Sequence, residues 1–344
     1  MKIANVFKKT VAVSAACLTA LTAFAGCSSD AKNSDSEKKR VGVIQIVEHP
    51  SLNTIRDSFT ERMNELGFTD ENTVFDYKSA NGEVSTANSI VDGFKSDKCD
   101  IIVAIATPTA MAAANVSDEI PVVFSAVTDP IGAGLCDSLE STGRNITGTS
   151  DALQVSKILD MALTVTPDIK KLGYLYNSGE DNSVSCLEQV KAYLADKDIE
   201  LIEAAVTNTS EIQQAAQSLA EKCDAVFSPI DNTVASAMQV AAQVFIDAKI
   251  PFYVGADSMV NDNGLATVGI QYTDLGRETA DMTASILNGE KQAKDIPVKV
   301  FDEDLSIFVN ENTLNALGLT LPESIANDPK LVMMGTSSEE TAAE

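Results

Sequence analysis

The sequence predicts an α/β protein with two Rossmann-like lobes, each built on a parallel sheet covered by helices. Short runs of β-branched residues alternate with stretches whose apolar residues follow the helical period, which is typical of such sheets. Strand–helix units recur roughly 130 residues apart, so the chain contains the same arrangement twice. With 344 residues, of which 44% are hydrophobic and 22% charged, the chain suits two packed lobes, and a mainly disordered state is excluded.

The first strand and helix show the pattern most clearly. Val41 to Val47 is an apolar run that predicts a strand. After Ser51 the apolar residues recur at spacings of three and four, which predicts a helix packed on that strand, and Gly67 should end this helix. The apolar positions of the helix are Leu52, Ile55, Phe59, Met63 and Leu66.

Internal repetition supports two homologous lobes. Three pairs of segments match in the same order along the chain, and three ordered matches are hard to ascribe to chance. The pairs are Val41–Ile44 with Leu172–Leu175, Lys98–Asp100 with Lys222–Asp224, and Ile120–Val123 with Ile250–Tyr253. A single long α/β domain remains the alternative.

The last predicted elements should complete both sheets, which makes the lobes discontinuous in sequence. A late helix ends at Gly289, and Ser306 to Val309 predicts a final strand. We therefore expect about three crossings between the lobes, near residues 149, 270 and 297. The predicted divisions are an N-terminal lobe of 41–149 plus 270–296, a C-terminal lobe of 150–269 plus 297–327, and a polar tail of 328–344.

Residues 1–26 predict an exported, lipid-anchored protein. Lysines precede an apolar run from Val11 to Ala25, which is shorter than the roughly 20 residues needed to cross a bilayer. Phe24-Ala25-Gly26-Cys27 resembles the lipobox of bacterial lipoproteins, in which the cysteine receives a diacylglycerol. This resemblance implies lipidation of Cys27, a flexible tether over 27–40, and a place on the extracytoplasmic face of the cell membrane. A permanent transmembrane anchor and an ordinary thiol at Cys27 are the alternatives.

Charge and composition exclude several classes of function. The 25 basic residues stand against 50 acidic ones, and the formal charge of -25 would repel nucleic acid. His49 is the only histidine, so a multi-histidine metal centre is excluded, and we expect neither a metal nor a cofactor. The cysteines that remain after export and lipidation form no CxxC pair and are expected to be buried free thiols, although disulfide pairing stays open. These cysteines are Cys99, Cys136, Cys186 and Cys223.

Polar residues at the carboxyl ends of the strands predict the binding site. In parallel α/β sheets, ligands bind beyond those ends, where loops lead into helix N-termini. Neutral hydroxyls and N–H groups of the first lobe suit a carboxylate, whereas Asp231 and Asp257 of the second suit an ammonium, so a zwitterionic amino acid satisfies both. The alternative is that Thr107, Ser183 and Asp231 only cap helices. The candidate ligand contacts are Glu48, His49, Thr107, Thr109, Ala126, Thr128, Asn182, Ser183, Asp231, Asn232 and Asp257.

Short motifs at these loops resemble those of a known family. The motifs are Gln45–Pro50, Ala106–Ala110, Ala126–Pro130, Tyr176–Ser178, Asn182–Ser183, Asp231–Ser236 and Gly255–Asp257. Together they look like ABC transporter substrate-binding proteins of the tryptophan and tyrosine uptake type. The resemblance spans about 41 to 318. It implies the type I periplasmic-binding-protein fold, a hinged cleft, and an aromatic or other amino acid as ligand.

The residues and the resemblance together predict a solute-binding protein that breaks no bond. We expect a monomer that captures a small zwitterionic ligand between closing lobes and delivers it to an ABC permease in the membrane. The enzyme motifs GxxxxGK[ST], GxSxG and HExxH are absent from the sequence. A sensor of the same fold that docks on a membrane signalling protein, and a binder of a sugar or nucleoside, are the alternatives.

Overall fold

The computed structural model describes residues 38–335. The predicted signal peptide, the lipidation site at Cys27, nearly all of the predicted tether and the end of the predicted tail lie outside this range. Within it, no helix is both long and apolar enough to span a membrane. The same residues include no group of three or more His, Cys, Asp or Glu side chains placed to hold a metal ion.

Strands and helices alternate along the described chain. The strands are β1 (Lys39–Gln45), β2 (Thr73–Ser79), β3 (Ile101–Ile105), β4 (Val122–Ser125), β5 (Ile146–Ser150), β6 (Lys171–Asn177), β7 (Glu200–Val206), β8 (Ala225–Ser228), β9 (Phe252–Val254), β10 (Ala266–Gly269), β11 (Lys299–Val300), β12 (Ser306–Asn310) and β13 (Leu331–Met334). The helices are α1 (Pro50–Glu65), α2 (Val84–Ser96), α3 (Thr107–Ala114), α4 (Val155–Val165), α5 (Asp181–Leu194), α6 (Ile212–Ala220), α7 (Asn232–Ser236), α8 (Met238–Ala248), α9 (Asp257–Asn261), α10 (Tyr272–Leu287), α11 (Glu311–Leu317) and α12 (Glu323–Ala326).

The strands form two mostly parallel sheets, which confirms the predicted fold class. The first sheet has the order β11-β5-β4-β3-β1-β2, and its neighbouring strands all run parallel. The second has the order β13-β12-β10-β9-β8-β6-β7, in which the pair β10 and β12 runs antiparallel. The order β2-β1-β3-β4-β5 therefore recurs as β7-β6-β8-β9-β10, so the repeat seen in the sequence is also a repeat of topology.

The chain passes between the two sheets after Ser150, after Gly269 and after Val300. The last passage lies a few residues after the position near 297 that the sequence predicts. Lys299 and Val300 pair with Thr149 and Ser150 as the edge of the first sheet, so the passage to the second sheet comes later. A strand of two residues is too short to show the alternation by which strands are recognised in a sequence.

The predicted polar tail is also partly wrong. Leu331–Met334 forms strand β13 and pairs in parallel with β12 over four residues. The run Leu-Val-Met-Met is apolar, but it is only four residues long and polar residues flank it, so the sequence does not predict a strand there. The second sheet thus gains its edge from a segment assigned outside both lobes.

The cores lie between the sheets and their helices. All five residues of β3 are fully buried, as expected for a parallel strand covered on both faces. In α1 the predicted apolar positions from Leu52 to Met63 are buried, whereas Leu66 lies beyond the end of the helix and is exposed. Helix α10 packs on α1 and against β3, β4 and β5, so a late segment of the chain completes the first lobe.

The four cysteines of the described residues are buried and free. Burial raises the pKa of the thiols of Cys99 and Cys223 to about 11, and it raises the pKa of Cys136 and Cys186 as well. A thiol with a raised pKa stays protonated at neutral pH and is a poor nucleophile. These side chains therefore serve as small apolar residues of the cores.

The contact between α1 and α10 depends on Gly276. A Cβ atom at this position would overlap the side chain of Ser58 and the backbone oxygen of Ile55. Gly93 in α2 is a helical glycine of the opposite kind, because a Cβ there would meet nothing within 4 Å. The two glycines form a matched pair in which the same substitution tests close packing.

We predict that Gly276→Ala lowers the free energy of unfolding by about 1–3 kcal/mol, since the added methyl group overpacks the helix contact. Gly93→Ala should instead raise it by up to about 1 kcal/mol, because alanine favours the helix and the space is open. Urea denaturation followed by circular dichroism measures both. Equal effects of the two substitutions would contradict the close approach of α1 and α10.

Candidate ligand-binding site

The carboxyl ends of the two sheets meet across direct hydrogen bonds. His49, which follows β1, places its Nε2 atom 3.2 Å from Oδ1 of Asn232, which follows β8. The hydroxyls of Ser51 in α1 and Ser258 in α9 also contact each other. These loops were predicted from the sequence to face one another, and in the structure they touch.

A third bridge lies between the loop after β4 and helix α5. The hydroxyl of Ser185 donates to Oδ2 of Asp129 over 2.8 Å. The other oxygen of the same carboxylate accepts from the backbone N–H of Gly132 over 2.8 Å, which fixes the side chain within its own loop. Three pairs of side chains thus join the lobes at loops that follow β1, β4, β6, β8 and β9.

Two grooves flank the contact of His49 with Asn232. One has a volume of about 390 Å³ and is lined from the first lobe by residues such as Val47 and Pro108 and from the second by Glu180 and Thr233. The other has a volume of about 340 Å³ and lies between Pro50 and the start of α8. Both grooves are lined by residues of both lobes, so the space between the lobes is reached from two sides.

Three predicted site residues carry buried polar atoms that have no hydrogen-bond partner among the described residues. These atoms are Nδ1 of His49, Oγ1 of Thr107 and Oδ1 of Asn182. Each residue is at most 4% exposed, and a buried polar group without a partner costs about 1–3 kcal/mol. Gln45, Ser228 and Thr267, on strands, have one such atom each. Unpartnered atoms at three facing loops are what a site for a polar ligand requires.

The start of helix α3 offers free N–H groups to a ligand. No side chain caps this helix, and its N-cap residue, Ala106, has a φ of +82°. Ala126, after the neighbouring strand β4, also has a positive φ, of +54°. Non-glycine residues rarely adopt this conformation, and the strain is typical of functional loops. Sequence analysis proposed Ala126 and missed Ala106, because an alanine carries no signal of an unusual backbone.

Asp231 is held entirely by the second lobe. Its carboxylate accepts from the backbone N–H of Asn177 over 2.6 Å, from the hydroxyl of Ser183 over 2.7 Å, and from the N–H of Val234 over 2.9 Å. The last bond caps α7, so the capping role that the sequence left open is present. The hydroxyl of Ser183 therefore donates its hydrogen to this carboxylate and not to a ligand. Burial raises the pKa of Asp231.

Glu180 is a site residue that sequence analysis missed. Its carboxylate accepts four hydrogen bonds of 2.6–3.0 Å from Asn232 and Thr233, at the start of α7. Burial and the nearby charge of Asp231 raise the pKa of Glu180 to about 7. By the repeat, Glu180 matches His49, because each is the N-cap residue of the helix that follows the first repeated strand, β1 in one lobe and β6 in the other.

Asp151 and Asp257 place two more carboxylates at the hinge side of the site. Asp151, after β5, accepts from the hydroxyl of Thr128 over 3.1 Å and from that of Tyr272 over 3.0 Å. A small cavity of about 10 Å³ joins Asp151 to Ile230 and Ala256, which directly precede Asp231 and Asp257. Burial raises the pKa of Asp151, and it raises the pKa of Asp257 to about 6. Asp151 was not proposed from the sequence.

The four carboxylates of Asp151, Glu180, Asp231 and Asp257 have no cationic partner. Among residues 38–335, none of them takes part in an ion pair. Burial lowers the pKa of His49 to about 4, so its ring is neutral at pH 7. The space between the lobes therefore contains four acidic side chains that no basic side chain of residues 38–335 pairs with.

The raised pKa values make these groups respond to pH in a defined direction. The folded protein holds the protons of Glu180 and Asp257 more tightly than the unfolded chain does. Their contribution to stability is therefore present at low pH and is lost as pH rises from about 4 to about 7. A bound cation would favour the ionised forms and offset this loss.

The side chains of Glu48 and Thr109, two further candidates, contact other groups of this protein. Glu48 is exposed, and its carboxylate lies 3.9 Å from the guanidinium of Arg56. The hydroxyl of Thr109 donates to the backbone oxygens of Ile105 and Ala106 over 2.6 and 2.9 Å. Contact of these two residues with a ligand stays a prediction. In the described structure their side chains hold the loop ends in place.

Comparison with known proteins identifies the family. A sequence profile described as ABC transporter substrate binding protein matches residues 40–333. The chain belongs to this family. The tyrosine-binding protein of Clostridioides difficile (strain R20291) is 39% identical to it over 294 residues, which are 85% of this chain and 85% of that relative. The predicted resemblance is thereby confirmed.

Two solved structures resemble this substrate-binding protein at different scores. The ABC domain in complex with L-Trp from Streptococcus pneumoniae is 34% identical, covers 86% of this chain and 100% of that one, and has a TM-score of 0.81. The ligand-free, open structure of a substrate binding protein from Clostridium difficile is 37% identical, covers 86% and 99%, and has a TM-score of 0.64.

Membership in the family settles the class of function. Substrate-binding proteins of ABC transporters bind a solute outside the cytoplasm and do not transform it. The prediction that the protein is not an enzyme is confirmed on this ground. The fold-class prediction of a type I periplasmic binding protein is confirmed by the two parallel sheets and by the solved relatives.

We predict that Asp231→Ala lowers the free energy of unfolding of the ligand-free protein by about 2 kcal/mol. The substitution removes a helix cap, and the three donors bonded to this carboxylate lose their acceptor. Asp198→Ala is the control, because that side chain is fully exposed. Urea denaturation of the ligand-free protein measures both variants, and equal stability of the two would contradict a structural role of the Asp231 carboxylate.

Proposed function

We propose that this protein is the lipid-anchored, extracytoplasmic receptor of an ABC importer and that it captures an aromatic amino acid between its lobes. The observation that carries the proposal is the opposite polarity of the two sides of the site. One side presents an uncapped helix start with a free hydroxyl, and the other presents buried carboxylates with no cation. A zwitterion has one group for each.

The carboxylate of the ligand belongs at the start of α3. A helix N-terminus carries roughly half a positive charge, and here its first N–H groups have no capping side chain. Thr107 adds a buried hydroxyl without a partner. In the second lobe, the corresponding start of α7 is already filled by the carboxylates of Glu180 and Asp231. In the first lobe the helix start has no carboxylate of the described residues bonded to it, whereas in the second lobe side chains of the protein provide one.

The ammonium of the ligand belongs near the acidic residues of the site. The unpartnered Nδ1 of His49 and Oδ1 of Asn182 can accept hydrogen bonds from it. The amide of Asn182 is oriented by the bond from its Nδ2 to the backbone oxygen of Ile230, at 2.7 Å. Burial raises the pKa of Asp151 and Asp257, and a bound ammonium would favour their ionised forms, since opposite charges attract strongly in a poorly solvated region.

The choice of an aromatic amino acid follows from the relatives. One relative at 39% identity is named for tyrosine, and a structure at 34% identity holds L-Trp. Lobe closure over such a ligand would favour the bound, closed form, which an ABC permease can distinguish from the empty one. The lipid on Cys27 would keep the receptor beside that permease.

Isothermal titration calorimetry on the full-length protein tests the ligand. We expect saturable binding of L-tyrosine or L-tryptophan. Tyramine lacks the carboxylate and 3-(4-hydroxyphenyl)propionate lacks the ammonium, so each should bind at least about 100-fold more weakly than L-tyrosine. Thr107→Val, which keeps the shape and removes the hydroxyl, should weaken binding about tenfold.

Two comparisons keep this experiment decisive. D-Glucose and adenosine stand for the sugar and nucleoside alternatives, and binding of either in place of the amino acids would overturn the proposal. If tyramine bound as tightly as L-tyrosine, the start of α3 would not be the carboxylate site. Thr164→Val, on the exposed side of α4, is the matched control for Thr107→Val and should leave affinity unchanged.

The anchor has its own test. Cys27→Ser removes the thiol that would carry the diacylglycerol, so the variant should move from the membrane fraction to the soluble extracytoplasmic or culture fraction. Fractionation followed by immunoblotting measures the change. Cys223→Ser is the control, because that thiol is buried in the second lobe and should not affect the distribution. Retention of the Cys27→Ser protein on membranes would contradict lipid anchoring at this residue.

A further inference from the structure

We propose that Glu180 is a positioning residue that sets the tautomer of His49 through Asn232, so that closing the lobes presents the bare Nδ1 of His49 to the ligand. The relay runs from the second lobe to the first through two side-chain hydrogen bonds. This proposal rests on the proposed function in one respect, namely that the group donating to Nδ1 is the ammonium of the ligand.

The relay begins with the acceptor oxygen of Glu180. Oε2 accepts from the backbone N–H of Asn232 over 3.0 Å and from its side-chain Nδ2 over 2.6 Å. The other oxygen, Oε1, accepts from the N–H and the hydroxyl of Thr233. If Glu180 takes up a proton, Oε1 can carry it toward the Thr233 hydroxyl, and Oε2 remains an acceptor. The relay therefore works in both protonation states.

The bond to Glu180 fixes which way the Asn232 amide points. An amide has one donor end and one acceptor end, and a carboxylate oxygen accepts only from the donor end. Nδ2 of Asn232 must therefore face Glu180, and Oδ1 must face His49 across the lobe contact. Glu180, Asn232 and His49 are each at most 6% exposed, so the amide is bonded to these protein groups on both sides.

The orientation of Asn232 then fixes the proton of the imidazole. Oδ1 only accepts, so the Nε2 atom 3.2 Å away must carry the hydrogen. Burial keeps the ring neutral at pH 7, with a pKa of about 4, so Nδ1 carries none. That atom is buried and has no partner among the described residues. A bare Nδ1 accepts a hydrogen bond from an ammonium and cannot donate to a carboxylate.

The relay also couples recognition to closure. His49 belongs to the first lobe, while Asn232 and Glu180 belong to the second, so the bond to Nε2 exists only when the lobes meet. An open receptor has no partner that favours one tautomer over the other. Closure therefore completes an acceptor for the ligand as well as enclosing it.

Nitrogen NMR reads the tautomer directly. His49 is the only histidine of the chain, so ¹⁵N-histidine labelling of the full-length protein gives a single imidazole to interpret. With saturating L-tyrosine or L-tryptophan, whichever binds, a long-range ¹H–¹⁵N correlation should show the Nε2–H form alone. Glu180→Gln replaces an acceptor oxygen with an NH₂ donor, so Asn232 is no longer held in one orientation. We expect a second tautomer to appear and affinity to fall about tenfold.

Two further variants separate positioning from a structural effect. Glu188→Gln lies on the same helix, α5, at an exposed ion pair with Lys191, and should change neither tautomer nor affinity. Asn232→Leu removes the amide and should also give mixed tautomers. An unchanged tautomer in both Glu180→Gln and Asn232→Leu, or an Nδ1–H form in the ligand-bound protein, would overturn the relay.

A locked form tests the relay without a ligand. The contact of the Ser51 and Ser258 hydroxyls allows the double substitution Ser51→Cys and Ser258→Cys to hold the lobes closed by a disulfide. This protein should show the Nε2–H tautomer without any amino acid. If it does and no amino acid binds the unlocked protein, the proposed function fails and the relay stands. If an amino acid binds and the locked protein shows Nδ1–H, the relay fails and the function stands.

Discussion

Buried polar groups must find partners, and this constraint shapes the space between the two lobes. When the ends of two parallel sheets close on each other, their loop side chains and helix N-termini leave water together. The protein pairs most of them across or within the lobes, as with Asn232 and Asp231. Atoms of His49, Thr107 and Asn182 are left without a partner among the described residues, and we propose that the ligand bonds to them.

The two lobes differ in what bonds to the free N–H groups at the equivalent helix starts, those of α3 and α7. Each has a helix that starts after the third strand of its repeat, and each such start exposes N–H groups. In the second lobe, Glu180 and Asp231 fill that position, and their crowding raises the pKa of Glu180. In the first lobe, Ala106 and His49 occupy the equivalent places and supply no anion. The fold repeats, but the carboxylates at this helix start do not, and this difference is the basis for proposing that a ligand carboxylate binds in the first lobe.

Much of the fold could be predicted from the sequence because its signals are local. The buried strand Ile101–Ile105 is a continuous apolar run, and α1 carries apolar residues at helical spacing. The elements that the sequence did not predict correctly lie where the hydrophobic pattern is too short or is misleading. Leu66 continues the apolar spacing but lies beyond the helix, Lys299–Val300 is too short to be seen, and Leu331–Met334 becomes a strand only through its pairing with β12.

The sequence by itself determined the α/β class, the repeat, the family and which loops lie at the carboxyl ends of the strands. Loop position depends on the order of strands and helices, which hydrophobic pattern encodes. Only the tertiary structure decided which polar side chains form hydrogen bonds within the protein and which have no partner there. The carboxylate of Asp231 is an example, because it accepts hydrogen bonds from Asn177 and Ser183, which lie 54 and 48 residues earlier in the chain. Contacts between groups so far apart depend on how the chain folds, and no local sequence pattern records them.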